Sequence, residues 1–112
     1  MLIKDQHCLE SIIEAIDRIF EYSSDFDNAD DFNDDNRNFD ASMMNFVVIG
    51  EMVEKTSDDL KNSHPQVEWG KIKGFRNIVA HDYFGIDAEE VWQIIKNKLP
   101  ALKVDIQKIF EV

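Results

Sequence analysis

Five side chains suited to phosphate chemistry fall within eight positions of this sequence. Arg76 carries a planar guanidinium, which binds phosphate through two parallel N–H groups. His81 is a histidine, the residue type whose unperturbed pKa lies nearest to neutral, so it exchanges protons at cellular pH. Asn77, Asp82 and Tyr83 add an amide, a carboxylate and a phenol. The cluster indicates a site that binds a phosphate group beside a proton-transfer group.

A helix is predicted to carry this cluster, because apolar residues recur every three or four positions at Trp69, Ile72, Phe75 and Val79. On that helix Asn77 and His81 share a face. Arg76 and His81 are about 140° apart, so they converge only if the helix end is distorted. Gly85 favours a helix end near Tyr83. Spacing alone favours a plainer interpretation, in which neighbouring carboxylates satisfy a buried arginine and a core histidine.

The charge of the chain is unevenly distributed. Its 112 residues have a formal net charge of −11 and suffice for one domain, residues 1–112. Residues 1–60 contain 4 basic and 16 acidic side chains, whereas residues 61–112 contain 8 and 7. A strongly acidic protein is a poor general candidate for nucleic-acid binding. The phosphate-compatible surface is therefore expected in the second half, which contains Lys61, Lys71, Lys73 and Arg76.

Cysteine content and hydropathy indicate the cellular compartment in which the protein is expected. Cys8 is the single cysteine, which excludes an internal disulfide and a cysteine-based zinc site. The first residues lack the apolar segment of a signal peptide. No run approaches the ~18 apolar residues typical of a membrane span. We expect a cytoplasmic protein.

The apolar periodicity predicts an all-α fold, an up-and-down bundle of four or five helices. The first helix is expected from about Leu2 to Tyr22, and the second from an N-cap at Asp40 to Leu60 or Lys61. The third contains the chemical cluster. Asp87 is expected to cap the fourth helix with Glu90 in a capping box, and Pro100 is expected to kink or interrupt that helix.

The stretch from residue 23 to residue 40 contains seven aspartates. Aspartate and asparagine favour turns and helix caps over helix interiors, so the prediction is mostly loop. Calcium binding is the alternative, but the best register has Asn36 where glycine is required and Ser42 where glutamate is required. We favour a solvated loop, attached to the core by Phe26, Phe32 and Phe39.

Gly50 and Glu51 lie within the second predicted helix. Glycine costs about 1 kcal/mol relative to alanine inside a helix, so Gly50 suggests the close approach of another backbone. Glu51 is either a surface residue or the partner of a buried arginine. Its position alone favours the surface interpretation.

The segment Arg76-Asn77-Ile78-Val79-Ala80-His81-Asp82-Tyr83 resembles the R-N-x3-H-x-Y signature of the HEPN superfamily, and specifically that of its HepT-type toxins. The resemblance covers nearly the whole chain and is tightest from residue 46 to residue 99. The other matching segments are Ile49-Gly50-Glu51, His64-Pro65 with Trp69 and Ile72, and Asp82-Tyr83-Phe84-Gly85-Ile86-Asp87 with Val91-Trp92.

This resemblance implies a metal-independent endoribonuclease that needs no cofactor and acts as a homodimer. His81 would be the general base on the 2′-hydroxyl, and Arg76 would stabilise charge on the phosphate. Asn77, Asp82 and Glu51 would have supporting roles. RNA is the implied substrate, and DNA is not expected.

The resemblance also implies a partner. In HepT-type systems, which form type VII-like toxin–antitoxin pairs, a cognate minimal nucleotidyltransferase adenylylates the tyrosine of the signature, here Tyr83. The rival hypothesis is a non-catalytic helical subunit that docks on a nucleotidyltransferase and binds nucleotide phosphate. The acidic composition favours the rival, and the intact signature opposes it.

Overall fold

A computed structural model describes residues 1–82, 85 and 87–110, without the side chains of residues 78–82. Throughout these residues the fold is all-α, as predicted, with no strand. No helix among them is both long and apolar enough to cross a membrane. The helices are α1 (Ile3–Ser23), α2 (Ala29–Asp34), α3 (Asn36–Lys55), α4 (Asp58–Ser63), α5 (Trp69–Asp82), α6 (Ala88–Gln93) and α7 (Leu99–Phe110), and a π-helical turn (Ile94–Lys98) joins the last two.

Helix α3 is the centre of the arrangement. It packs against both α1 and α5, while α7 packs on α1. The shared core is built from fully buried side chains at helical spacing, as expected for helices with one apolar face. It includes Leu9, Ile12, Ile16, Ile19, Met43, Ile49, Val53, Leu99 and Ile106. This packing fixes the position of α5, the helix that carries the chemical cluster.

The prediction of a loop over residues 23–40 is wrong for most of that stretch. Residues 29–34 form α2, and α3 begins at Asn36, so Asp40 lies inside α3 and is not its N-cap. Aspartate and asparagine act here as caps: the Asn28 side chain accepts from the Asp31 backbone N–H, and the Asp35 carboxylate accepts from that of Asn38. Capping let short helices form where the composition suggested a loop.

Aromatic packing is the second reason why most of residues 23–40 are helical. Phe32 is fully buried, and its ring centre lies 5.6 Å from that of Phe26, 5.3 Å from that of Phe39 and 5.7 Å from that of Trp92. Tilted and edge-on rings at such distances attract one another in addition to the area they bury. The predicted attachment of the acidic stretch by its three phenylalanines is confirmed. Among the described side chains, no group of three or more acids, histidines or cysteines is placed to hold a metal ion.

The second predicted helix is divided in two, because the backbone is extended at Thr56 and Ser57. The Ser57 hydroxyl caps α4 by accepting from the Leu60 N–H. The buried Asp5 carboxylate accepts from the Ser57 backbone N–H at 2.8 Å and from its hydroxyl at 2.6 Å. Burial disfavours the Asp5 charge, but these hydrogen bonds from Ser57 outweigh it, and the pKa of Asp5 is lowered. Asp5 thus ties α1 to the start of α4.

The last helical segment begins as predicted and continues past its proline. The Asp87 carboxylate accepts from the backbone N–H groups of Glu89 and Glu90, which confirms the predicted N-cap. A π-helical turn precedes Pro100, with the Leu99 N–H bonded to the Ile94 carbonyl. Proline has no N–H to donate, and the wider turn lets the chain continue into α7. The expected interruption is therefore a local widening of the helix.

Candidate active site

Helices α3 and α5 approach each other closely at Gly50. A Cβ added at Gly50 would lie 2.6 Å from the Arg76 Cβ, 3.2 Å from the Arg76 nitrogen and 3.3 Å from the Lys73 carbonyl oxygen. No side chain fits at such distances unless a helix shifts. The predicted close approach at Gly50 is confirmed, and the approaching residue is the arginine of the chemical cluster.

Glu51, the next residue of α3, contacts the same arginine. The Arg76 Nη1 atom donates to the Glu51 Oε1 atom at 2.9 Å. The Arg76 and Glu51 side chains remain 31% and 40% exposed respectively, so part of the arginine side chain is open to solvent. The surface interpretation of Glu51 was therefore incomplete, and the alternative of an arginine partner describes the contact. Half-burial places this pair among ion pairs that contribute little to stability.

A second ion pair lies one helical turn away along the line of contact between α3 and α5, which we call the seam. The Lys73 Nζ atom is 2.7 Å from the Glu54 Oε2 atom, and the two side chains are about half exposed. The hydrogen bond from Lys73 lowers the pKa of Glu54, and the charge of Lys73 acts in the same direction. Since Glu51 pairs with Arg76 while Glu54 pairs with Lys73, the two helices run antiparallel.

An aromatic contact also holds α5 on α3. The rings of Phe46 and Phe75 meet edge to face with their centres 5.5 Å apart. Phe75 is partly buried against the core, next in sequence to Arg76. The backbone of Arg76 is therefore anchored on α3 both by the ring contact of the adjacent Phe75 and by the close approach to Gly50.

The other predicted site residues follow Arg76 on α5 or lie beyond it. Asn77 is exposed. His81 and Asp82 form the last residues of α5, but their side chains are outside the described part of the structure, as is Tyr83. The structure thus brings Arg76 and Glu51 together, and the roles of His81, Asp82 and Tyr83 stay predictions.

The three described cations of α5, Lys71, Lys73 and Arg76, have acidic partners. Besides the two seam pairs, the Lys71 Nζ atom lies 3.2 Å from a Glu68 carboxylate oxygen. On the last helical segment, the Lys96 Nζ atom lies 4.4 Å from the centre of the Trp92 ring. The described part of α5 therefore presents paired charges, and an incoming phosphate must share these cations with carboxylates.

A cleft of about 760 Å³ lies between α5 and the segment formed by the π-helical turn and α7. Its apolar walls include Ile72, Phe75, Leu99 and Leu102. Neither Arg76 nor Glu51 is among the residues that line it. This cleft is thus separate from the paired arginine and has no assigned part in the phosphate chemistry.

Comparisons with known proteins identify the family. The family model of the HepT-like ribonucleases matches residues 12–109, which is most of the chain. The chain belongs to the HepT-like ribonuclease family. The resemblance drawn from the signature is therefore confirmed.

Relatives of similar length carry the same assignment. A protein of Methanocaldococcus jannaschii named as a candidate RNase is 35% identical over 104 residues, which cover 93% of this chain and 83% of that protein. A protein of Thermococcus cleftensis named as a candidate ribonuclease HepT is 32% identical over 101 residues, covering 90% of this chain and 91% of that protein. No solved structure gives a significant match.

Within this HepT-like chain, the pairing of Lys73 with Glu54 was not predicted from the sequence. Its signal was present in the spacing, because two acids three residues apart on α3 match two cations three residues apart on α5. Many other acids and cations in the chain have the same spacing. The match becomes informative only when α3 and α5 are known to be antiparallel neighbours, which is a property of the fold.

Proposed function

We propose that this protein is the toxin of a type VII-like toxin–antitoxin pair, a metal-independent endoribonuclease. One observation carries the proposal: Arg76 lies on α5, the helix that also bears His81, and its partly exposed side chain is held against α3 at Gly50 and Glu51. Membership of the HepT-like ribonuclease family supports RNA as the substrate.

Cleavage would proceed by attack of the ribose 2′-oxygen on the adjacent phosphorus. His81 accepts the proton of the 2′-hydroxyl as the bond from the 2′-oxygen to phosphorus forms. Negative charge then develops on the phosphate oxygens, and Arg76 stabilises it through its N–H groups. The bond from phosphorus to the 5′-oxygen breaks, and the products are a 2′,3′-cyclic phosphate and a 5′-hydroxyl. Asn77 and Asp82 orient the imidazole or bind phosphate.

The leaving 5′-oxygen needs a proton, and one imidazole cannot readily serve both ends of the scissile bond. A homodimer solves this difficulty if the two copies of His81 lie on opposite sides of one phosphodiester. The second His81 is then protonated and donates to the leaving oxygen. We therefore propose that two copies of this chain form the active enzyme.

A second candidate function has its own support. The net charge is −11, and Lys71, Lys73 and Arg76 all lie beside carboxylates. These features suit a helical subunit that docks on a nucleotidyltransferase and binds nucleotide phosphate without cleaving RNA. The two functions differ in whether the isolated protein cleaves RNA.

Incubation of the purified protein with mixed RNA tests which of the two functions is correct. We expect cleavage that persists in EDTA and leaves 2′,3′-cyclic phosphate ends, because the mechanism uses side chains alone. His81→Ala is expected to lower the rate by at least about 100-fold, the usual worth of a general base. Loss of wild-type cleavage in EDTA would refute the metal-independent mechanism. If neither protein cleaves RNA, the docking subunit is favoured.

Neutralisation is proposed to occur at Tyr83 through adenylylation by a cognate minimal nucleotidyltransferase. The modification adds a bulky anionic nucleotide two residues from His81, which blocks the site and repels RNA phosphate. When this protein is incubated with the nucleotidyltransferase and ATP, we expect its intact mass to rise by whole adenylate units and its RNA cleavage to stop. Tyr83→Phe should keep both its mass and its activity. If that variant is still neutralised, the partner acts by binding alone.

A further inference from the structure

We propose that Glu51 is a positioning residue, which holds the Arg76 guanidinium in the orientation that receives the phosphate. This inference rests on the proposed ribonuclease function and adds a role for a residue on another helix. It starts from one contact, the 2.9 Å hydrogen bond from Arg76 Nη1 to Glu51 Oε1.

The first step is that, among the described residues, Arg76 is held at its two ends. Its Cβ is pressed against Gly50, and its guanidinium meets Glu51, which is the very next residue on the same turn of α3. Between these points lies a flexible stem with several rotatable bonds, and an arginine carries large rotamer entropy when its head is unheld. Removing Glu51 would leave the backbone of Arg76 in place and free its head.

The second step is that the contact with Glu51 leaves other N–H donors of the Arg76 guanidinium able to bind a phosphate. A guanidinium has five N–H donors in a planar fork, and the bond to Glu51 engages Nη1. A carboxylate that takes one donor can orient the fork while a phosphate takes others. A single-point contact suits positioning better than a two-pronged pair, which would occupy the edge that the phosphate needs.

The third step concerns energy. With side chains 31% and 40% exposed, the pair is screened by water, so it adds little to folding stability. A contact that stabilises the fold weakly yet fixes a catalytic donor is expected to matter mainly for turnover. The neighbouring pair of Lys73 and Glu54 has similar exposure on the same seam, and it therefore serves as a matched control.

Steady-state cleavage by Glu51→Ala, Glu51→Gln and Glu54→Ala tests the inference. We expect Glu51→Ala to lower kcat about 10-fold without raising KM, because it frees the guanidinium and also removes a negative charge beside the RNA phosphate. Glu51→Gln keeps an acceptor oxygen and should stay within about 3-fold of wild type. Glu54→Ala should match wild type. All variants are compared well below their melting temperatures, which are measured in parallel.

Three outcomes would overturn the inference. Wild-type kcat in Glu51→Ala would mean that Arg76 needs no support, and a raised kcat would mean that Glu51 competes with RNA for the guanidinium. Equal losses in Glu51→Ala and Glu54→Ala would assign the effect to the seam as a whole. A failure of the proposed function is recognised separately, because the wild type would then cleave no RNA. In that case 15N relaxation of the Arg76 Nε–H group decides: restriction lost in Glu51→Ala but kept in Glu54→Ala supports positioning, and unchanged relaxation opposes it.

Discussion

Arg76→Lys is expected to lower kcat/KM for RNA by at least about 100-fold, corresponding to the ~3 kcal/mol that one lost transition-state donor costs. Lysine keeps the positive charge but replaces a planar fork with a single ammonium group. That ammonium would also lie near Glu51, whose carboxylate it would contact as a point charge. A time course of cleavage of a labelled RNA measures the loss of kcat/KM.

Lys73→Ala supplies the control for this variant. Lys73 lies one turn before Arg76 on α5 and pairs with Glu54 in the same way, so its removal tests charge and seam packing without touching the fork. We expect a change of no more than about 3-fold, and thermal unfolding should show both variants folded. Near-wild-type cleavage by Arg76→Lys beside a loss in Lys73→Ala would mean that α5 contributes only general positive charge, which contradicts a specific role for the Arg76 fork.

The helical framework was predictable because amphipathic periodicity dominates this sequence. The first helix was expected from about Leu2 to Tyr22, and α1 runs Ile3–Ser23. Asp87 was correctly assigned as an N-cap, since an aspartate followed by acids has a direct signature. The acidic stretch was not predictable from composition. Its helices depend on the burial of Phe32 among rings from three other segments, which is a tertiary effect.

The site was predictable in its residue types and only partly in its geometry. The cluster around Arg76 follows from the sequence, and so does the close approach at Gly50, because a glycine inside an apolar helix needs a steric reason. The partner of Arg76 does not follow, since Glu51 lies 25 residues away on another helix. Only the antiparallel packing of α3 and α5 decides which of several acids meets the arginine.

Gly50→Ala is expected to reduce kcat by about 100-fold while lowering the free energy of unfolding by only ~1 kcal/mol. The new Cβ would lie 2.6 Å from the Arg76 Cβ, so α5 must move away from α3 at the residue that binds the phosphate. A displacement near 1 Å can cost a factor of 100 in rate. The stability loss is smaller, because overpacking costs ~1–3 kcal/mol while alanine returns ~1 kcal/mol of helix propensity.

Gly74→Ala is the matched variant, because Gly74 lies on α5 and a Cβ added there meets no atom of the described residues within 4 Å. It gains the same helix propensity without a clash, so we expect the free energy of unfolding to rise by up to ~1 kcal/mol and kcat to stay within about 3-fold. Urea denaturation and RNA cleavage are measured on both variants. A Gly50→Ala protein with wild-type turnover would mean that Arg76 tolerates displacement of its helix. The spacing between α3 and α5 would then matter for folding alone, and the case for a guanidinium placed by that spacing would fail.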